Sequence, residues 1–133
     1  MPDAVLVDSS VYIGLLREGR DPGVELLKRT EVLDLATCGV VQMEVLRGVL
    51  SNKARTSLTR FLSVMIQVQT DNRLWEEATQ LAWELDRDGA TLPATDLVIA
   101  SCARRINAAV LTFDKHFDSI PGLTVFHSLH DLY

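Results

Sequence analysis

The chain has 133 residues, 47% hydrophobic and 23% charged, which suits one compact domain and excludes long disorder. Lys and Arg number 13 against 18 Asp and Glu, a formal net charge of −5 that by itself disfavours phosphate-rich partners. No apolar run approaches the roughly 20 residues of a membrane span. Met1-Pro2-Asp3 does not begin a basic and then apolar leader, so a cytoplasmic protein without a signal peptide is expected. Cys38 and Cys102 sit in apolar stretches, as reduced buried thiols do, and their spacing matches no zinc site.

Ala4-Val5-Leu6-Val7 reads as a buried strand feeding a helix from Val11 to about Arg17, with Asp8-Ser9-Ser10 as its cap. The turn cluster Glu18 to Gly23 follows, and Pro22 opens a second helix to about Arg29. Val32-Leu33-Asp34-Leu35-Ala36 reads as a second strand. Thr37 is expected to cap a helix over about Val40 to Leu50, with another over about Ala54 to Val64. Met65 to Thr70 alternates apolar and polar, as an edge strand does. The clearest helix is Asn72 to Asp88, where Leu74, Trp75, Ala78, Leu81, Ala82 and Leu85 form one stripe and Gly89 is the stop. Asp96 to Ile106 is apolar nearly all round and reads as a buried helix capped by a left-handed Asn107. Ala108 to Thr112 and Leu123 to Phe126 are the last strands. Strands alternating with helices predict an α/β fold with a parallel sheet covered on both faces.

Ligands of such sheets bind beyond the carboxyl ends of the strands. Asp8 directly follows the first strand, and Asp114 lies two residues after Thr112. Asp96 opens the buried helix, and Glu44 lies at the margin of an apolar helical face. Each has a plainer reading: Asp8 and Asp96 as helix caps, Asp114 as a turn residue, Glu44 as the partner of Arg47 one turn on. Converging on one sheet edge, four acids would repel, and a divalent cation removes that cost. All-oxygen ligation without thiol or nearby histidine selects Mg²⁺ or Mn²⁺. Such ions activate water and polarise phosphorus, as phosphodiester hydrolysis requires. Four ionised ligands account for most of the −5, so the remaining surface is near neutral and RNA stays admissible.

Four segments resemble the PIN-domain nucleases, and specifically the VapC toxins of type II toxin–antitoxin pairs. They are Val7-Asp8-Ser9-Ser10-Val11-Tyr12-Ile13, Met43-Glu44-Val45-Leu46-Arg47-Gly48, Leu92 to Ala100 around Asp96, and Leu111-Thr112-Phe113-Asp114-Lys115-His116-Phe117 followed by Ile120-Pro121-Gly122-Leu123. The resemblance implies a single PIN-like domain over 1–133, a three-layer α/β/α sandwich around a central parallel sheet of about five strands. It implies a Mg²⁺- or Mn²⁺-dependent endoribonuclease that cleaves RNA through metal-activated water and leaves 5′-phosphate and 3′-hydroxyl ends. Asp8 and Asp96 would be the principal metal ligands and Glu44 the third acid. Asp114 matches a position that the family fills with Asp or Asn. Ser10 and Thr112 would orient acids or meet phosphate. Ser9 stands where Thr is more usual, with little effect expected.

The resemblance further implies homodimers and a cognate, DNA-binding, VapB-like antitoxin. The apolar surplus of Val11, Ile13, Leu15, Leu16, Val24, Leu26 and Leu27 fits a groove for an antitoxin helix or ordinary core. Lys115 is the leading phosphate contact. Arg47, Lys53, Arg55 and Arg60 fit an RNA backbone or a solvated face. Arg104 and Arg105 are expected to answer a helix dipole. His127 and His130 read as surface residues, Trp75 and Trp83 as helix packing, and Phe113 and Phe117 as packing beneath the fourth acid. The alternative reading is a non-catalytic PIN-like RNA-binding or assembly module, against which four intact acids argue. A haloacid-dehalogenase-type phosphatase needs a second aspartate two residues after Asp8, where Ser10 stands. A receiver domain needs paired acids at the first strand end, which are missing too.

Overall fold

The computed structural model describes residues 2–31 and 34–132. Its elements are β1 (Ala4–Val7), α1 (Ser9–Arg17), α2 (Pro22–Leu27), β2 (Leu35–Cys38), α3 (Gly39–Leu46), α4 (Asn52–Ser63), β3 (Ile66–Val68), α5 (Asn72–Arg87), α6 (Ala94–Arg105), β4 (Ala108–Leu111) and β5 (Val125–Phe126), with 3-10 turns at Lys115–Ser119 and Leu129–Leu132. All pairings are parallel, in the order β3-β2-β1-β4-β5, which is the expected five-stranded α/β arrangement.

From β1 the chain winds outward through β2 and β3, then returns past β1 to add β4 and β5. Right-handed crossovers therefore put α1–α4 on one face and α5–α6 on the other. The direction reverses between β1 and β4, registered Ala4↔Ala108 through Val7↔Leu111. Their carboxyl ends flank the crevice where open parallel sheets place ligands. Leu6, Val7, Leu35, Val110 and Leu111 are wholly buried, as central strands covered on both faces must be.

Helix ends follow local chemistry. Asp21 accepts the Gly23 and Val24 N–H groups at the start of α2, Ser51 that of Ala54, and Asp71 that of Leu74. Gly89 (φ +84°) and Asn107 (φ +52°) take the left-handed conformation after α5 and α6. Cys38 and Cys102 are free and buried. Among the described residues, no helix is long and apolar enough to cross a membrane.

Two expectations, on Thr37 and on the two tryptophans, are corrected. Thr37 does not cap α3: β2 continues through Thr37 and Cys38, paired with Gln67 and Val68, and Cys38 takes the cap position. Val32 and Leu33 of the expected second strand lie outside the described residues. Trp75 and Trp83 are not packed inside; about half of each is exposed, and Trp83 stacks under the Arg87 guanidinium at 4.7 Å. Arg104 and Arg105 lie in the last turn of α6, where they answer its dipole as expected, and they also tie down loops. Arg104 donates to the Pro121 carbonyl at 2.6 Å, and Arg105 pairs with Asp71 at 3.0 Å.

Candidate active site

Asp8 extends the β1–β4 ladder by one bond, its N–H donating to the Leu111 carbonyl at 2.8 Å. It stands at the cap position of α1, but its side chain caps nothing. Its Oδ2 instead accepts Ser10 Oγ at 2.7 Å and Thr112 Oγ1 at 2.9 Å. Those hydroxyls also accept the backbone N–H groups of Phe113 and Asp114, each at 3.0 Å. Two hydroxyls thus couple the end of β1 to the loop that carries Asp114. Asp8 is only 2% exposed, yet among the described residues no Lys or Arg pairs with it.

Glu44 sits on α3 beside the buried Val41 and Val45, partly buried itself. Ser9 Oγ donates to its Oε1 at 3.1 Å. No ion pair joins it to Arg47 among the described residues. Burial raises its pKa, Ser9 opposes that, and the charges of Asp8, Asp96 and Asp114 push it up further.

Asp96 lies in the first turn of α6, where Pro93 holds the cap position and no side chain caps the helix. Its Oδ2 meets His116 Nδ1 at 2.9 Å. Burial raises the Asp96 pKa, the His116 hydrogen bond lowers it, and Asp8 and Asp114 raise it. Asp114, half-buried, begins the loop into the Lys115–Ser119 turn.

The four acids therefore share one end of the sheet and feel each other's charge. Neither cap reading explains Asp8 or Asp96. A pattern runs through Asp8, Glu44 and Asp96: one carboxylate oxygen is tied to a hydroxyl or a ring nitrogen, and among the described residues no protein donor reaches the other. No closed cage of three or more ligands is preassembled among the described residues. The site is an open cluster of oxygens with excess negative charge.

The sequence places Ser9, His116 and Asp118 near these acids but does not announce their hydrogen-bond partners. The expectation of no nearby histidine is corrected, because the 3-10 turn brings His116 from twenty positions away onto Asp96. His127 is more than a surface residue: Nδ1 meets the Thr112 carbonyl at 3.2 Å and Nε2 meets Asp118 at 2.7 Å. Phe117 is fully buried beneath the loop as expected, but Phe113 is 41% exposed because its ring lies outside, against Gly14 of α1. Lys115 is exposed at the start of the turn.

Away from the acids, α1, α2 and α4 enclose a groove of about 510 Å³. Leu16, Val24, Leu27, Leu58 and Phe61 line it, with Lys53 among the lining residues. Val24 and Leu27 are about half exposed there, whereas Val11, Leu15 and Leu26 belong to the core. The apolar surplus of the first two helices thus divides between core and groove.

The family model described as the PIN domain matches residues 5–123. A curated relative, VapC ribonuclease Mb1587 of Mycobacterium bovis, is 28% identical over 125 residues, covering 90% of this chain and 93% of that protein. The fold is similar to VapBC2 of Rickettsia felis bound to a DNA fragment from its promoter, with TM-score 0.71 and 23% identity over 92% of this chain and 96% of that one. It is also similar to DNA-bound VapBC of Salmonella typhimurium, with TM-score 0.74 and 19% identity over the same shares of 92% and 96%.

Proposed function

Since a PIN domain match spans residues 5–123, the chain belongs to the PIN domain family, and from that premise we propose that it is a Mg²⁺- or Mn²⁺-dependent endoribonuclease, the toxin of a toxin–antitoxin pair. One observation carries the reading. Asp8, Glu44, Asp96 and Asp114 meet at the β1–β4 crevice, and among the described residues no Lys or Arg pairs with them. Burying such charges without a counter-ion costs several kcal/mol, which structure alone does not return.

The donor set fits a hard divalent ion. It is all oxygen, anionic and partly desolvated, and three acids each offer a free carboxylate oxygen. Asp8, Glu44 and Asp96 would hold the ion, with Asp114 at the mouth. When bound, the ion supplies Lewis acidity toward the phosphodiester and a lowered pKa for water.

The chain's own residues do the rest. Ser10 and Thr112 fix the Asp8 rotamer, and Ser9 fixes Glu44, so little reorganisation is needed when substrate arrives. Exposed Lys115, next to Asp114, would meet a phosphate of the RNA backbone. Glu44, whose pKa is raised by burial as that of Asp96 is, would accept a proton from attacking water.

The relative named VapC ribonuclease supports RNA as the substrate, and the similar VapBC structures support an antitoxin partner. The groove between α1, α2 and α4, whose lining includes none of the four acids, suits the apolar face of an antitoxin helix.

The test is cleavage of structured RNA by the purified protein with Mn²⁺ or Mg²⁺, beside Asp8→Asn and Asp96→Asn. Wild type should cut, EDTA should stop it, and both variants should be inactive while folded. Equal cutting by wild type and variants would overturn the assignment. Growth arrest on induction, relieved by the product of a small neighbouring gene, would separate a toxin from a housekeeping nuclease.

A further inference from the structure

Three acids have one tied oxygen, and their donors differ in kind. Ser10, Thr112 and Ser9 are hydroxyls within or beside the strand ends, whereas Asp96 depends on a ring carried by a separate turn. We propose that His116 is a positioning residue for Asp96: its Nδ1–H holds Oδ2, so that Oδ1 alone faces the cation. The inference rests on the metal reading above.

Several observations converge on it. The Asp96 side chain is 11% exposed on the wall of the acid cluster, so its rotamer decides where the negative charge points. Among the described residues no backbone N–H donates to its carboxylate, and the cap residue of α6 is Pro93. His116 is the only side chain hydrogen-bonded to it among the described residues. The histidine ring is 52% exposed and would be mobile by itself, but the next residue, Phe117, is fully buried and anchors the turn from behind. The anchor and the hydrogen bond together hold the imidazole edge-on to Oδ2. An ionised carboxylate only accepts, which selects the tautomer with hydrogen on Nδ1. Hydrogen bonds from such outer groups orient metal-ligating carboxylates, and losing one typically costs 10–100-fold in metal affinity.

The proposal separates nitrogen position from bulk. Asparagine can put an amide N–H where Nδ1 lies, whereas glutamine carries its amide near Nε2. Mn²⁺ binding, measured without RNA from the paramagnetic resonance of the free ion, is compared for wild type, His116→Ala, His116→Asn, His116→Gln and Asp96→Asn. Thermal melts verify that each is folded. Asp96→Asn should lose binding, His116→Ala and His116→Gln should weaken it about 10–100-fold, and His116→Asn should stay within a few-fold of wild type. Cleavage by His116→Ala should recover wild-type kcat at saturating Mn²⁺, a recovery that general loop damage would not give. Unchanged binding in His116→Ala, with binding lost in Asp96→Asn, would overturn the role of His116 and leave the metal reading standing. Equal weakness of His116→Asn and His116→Ala would overturn it as well. Wild type that binds no Mn²⁺ and cuts RNA in EDTA would overturn both.

Discussion

Thr112 Oγ1 donates to Asp8 Oδ2 at 2.9 Å while accepting the Asp114 N–H at 3.0 Å, so one buried hydroxyl registers two acids that lie more than a hundred positions apart. Thr112 is wholly buried just beyond β4, which is why an ordinary-looking threonine has so little freedom.

Thr112→Val keeps the shape and removes both bonds. It leaves the Asp114 N–H and part of the Asp8 carboxylate short of partners, at about 1–3 kcal/mol. Urea unfolding should register that loss, and RNA cleavage should fall about 10–100-fold. Thr112→Ser should restore most of both. With Ser10→Ala the effects should be non-additive, since both hydroxyls serve the same oxygen.

Asp96 and Glu44 both have pKa values raised, chiefly by burial. A raised folded-state value means that the protonated form favours folding. That contribution is present below the ordinary carboxyl range near 4 and disappears as pH rises through the raised value. At pH 7 and without metal, ionised Asp96 and Glu44 therefore oppose folding. Asp96→Asn and Glu44→Gln should melt higher than wild type in EDTA at pH 7, and the gap should close toward pH 4. A lower Tm for both variants at pH 7 would contradict this.

The loop bearing Asp114 and His116 is pinned from below by Phe117. Phe117→Ala should cost about 3–5 kcal/mol by emptying that site, read as a lower urea midpoint. Phe117→Leu should cost far less, because it refills most of the volume.

His127 bridges the Thr112 carbonyl and Asp118, and the Asp118 hydrogen bond raises its pKa. Doubly protonated, the ring donates both bonds; neutral, it can donate only one. The stabilisation is complete below about 6.5 and lost as pH rises above that value. Both side chains are substantially exposed, so the effect should stay below about 1 kcal/mol. Asp118→Asn should flatten the stability difference between pH 6 and pH 8, which thermal melts can follow.

Much of this protein is legible in the order of its residues. β1, the edge strand β3, the amphipathic α5 and the buried α6 follow from periodicity and burial. The ends at Gly89 and Asn107 follow from backbone chemistry that acts over a few residues. The parallel sheet follows from alternation, and the acids at strand and helix ends were identifiable from position alone. Thr37 misled because its capping chemistry is local, whereas the ladder to β3 that overrode it is not.

Sequence by itself determined which residues carry negative charge and near which ends of the elements they stand, because those are properties of neighbours along the chain. Tertiary structure alone decided which donor steadies which acid: Ser9 on Glu44, thirty-five positions away, His116 on Asp96, twenty away, and Thr112 on Asp8 across the sheet. Such pairings depend on how helices and turns pack on the strands. They are encoded in the whole set of buried contacts, and no short pattern announces them.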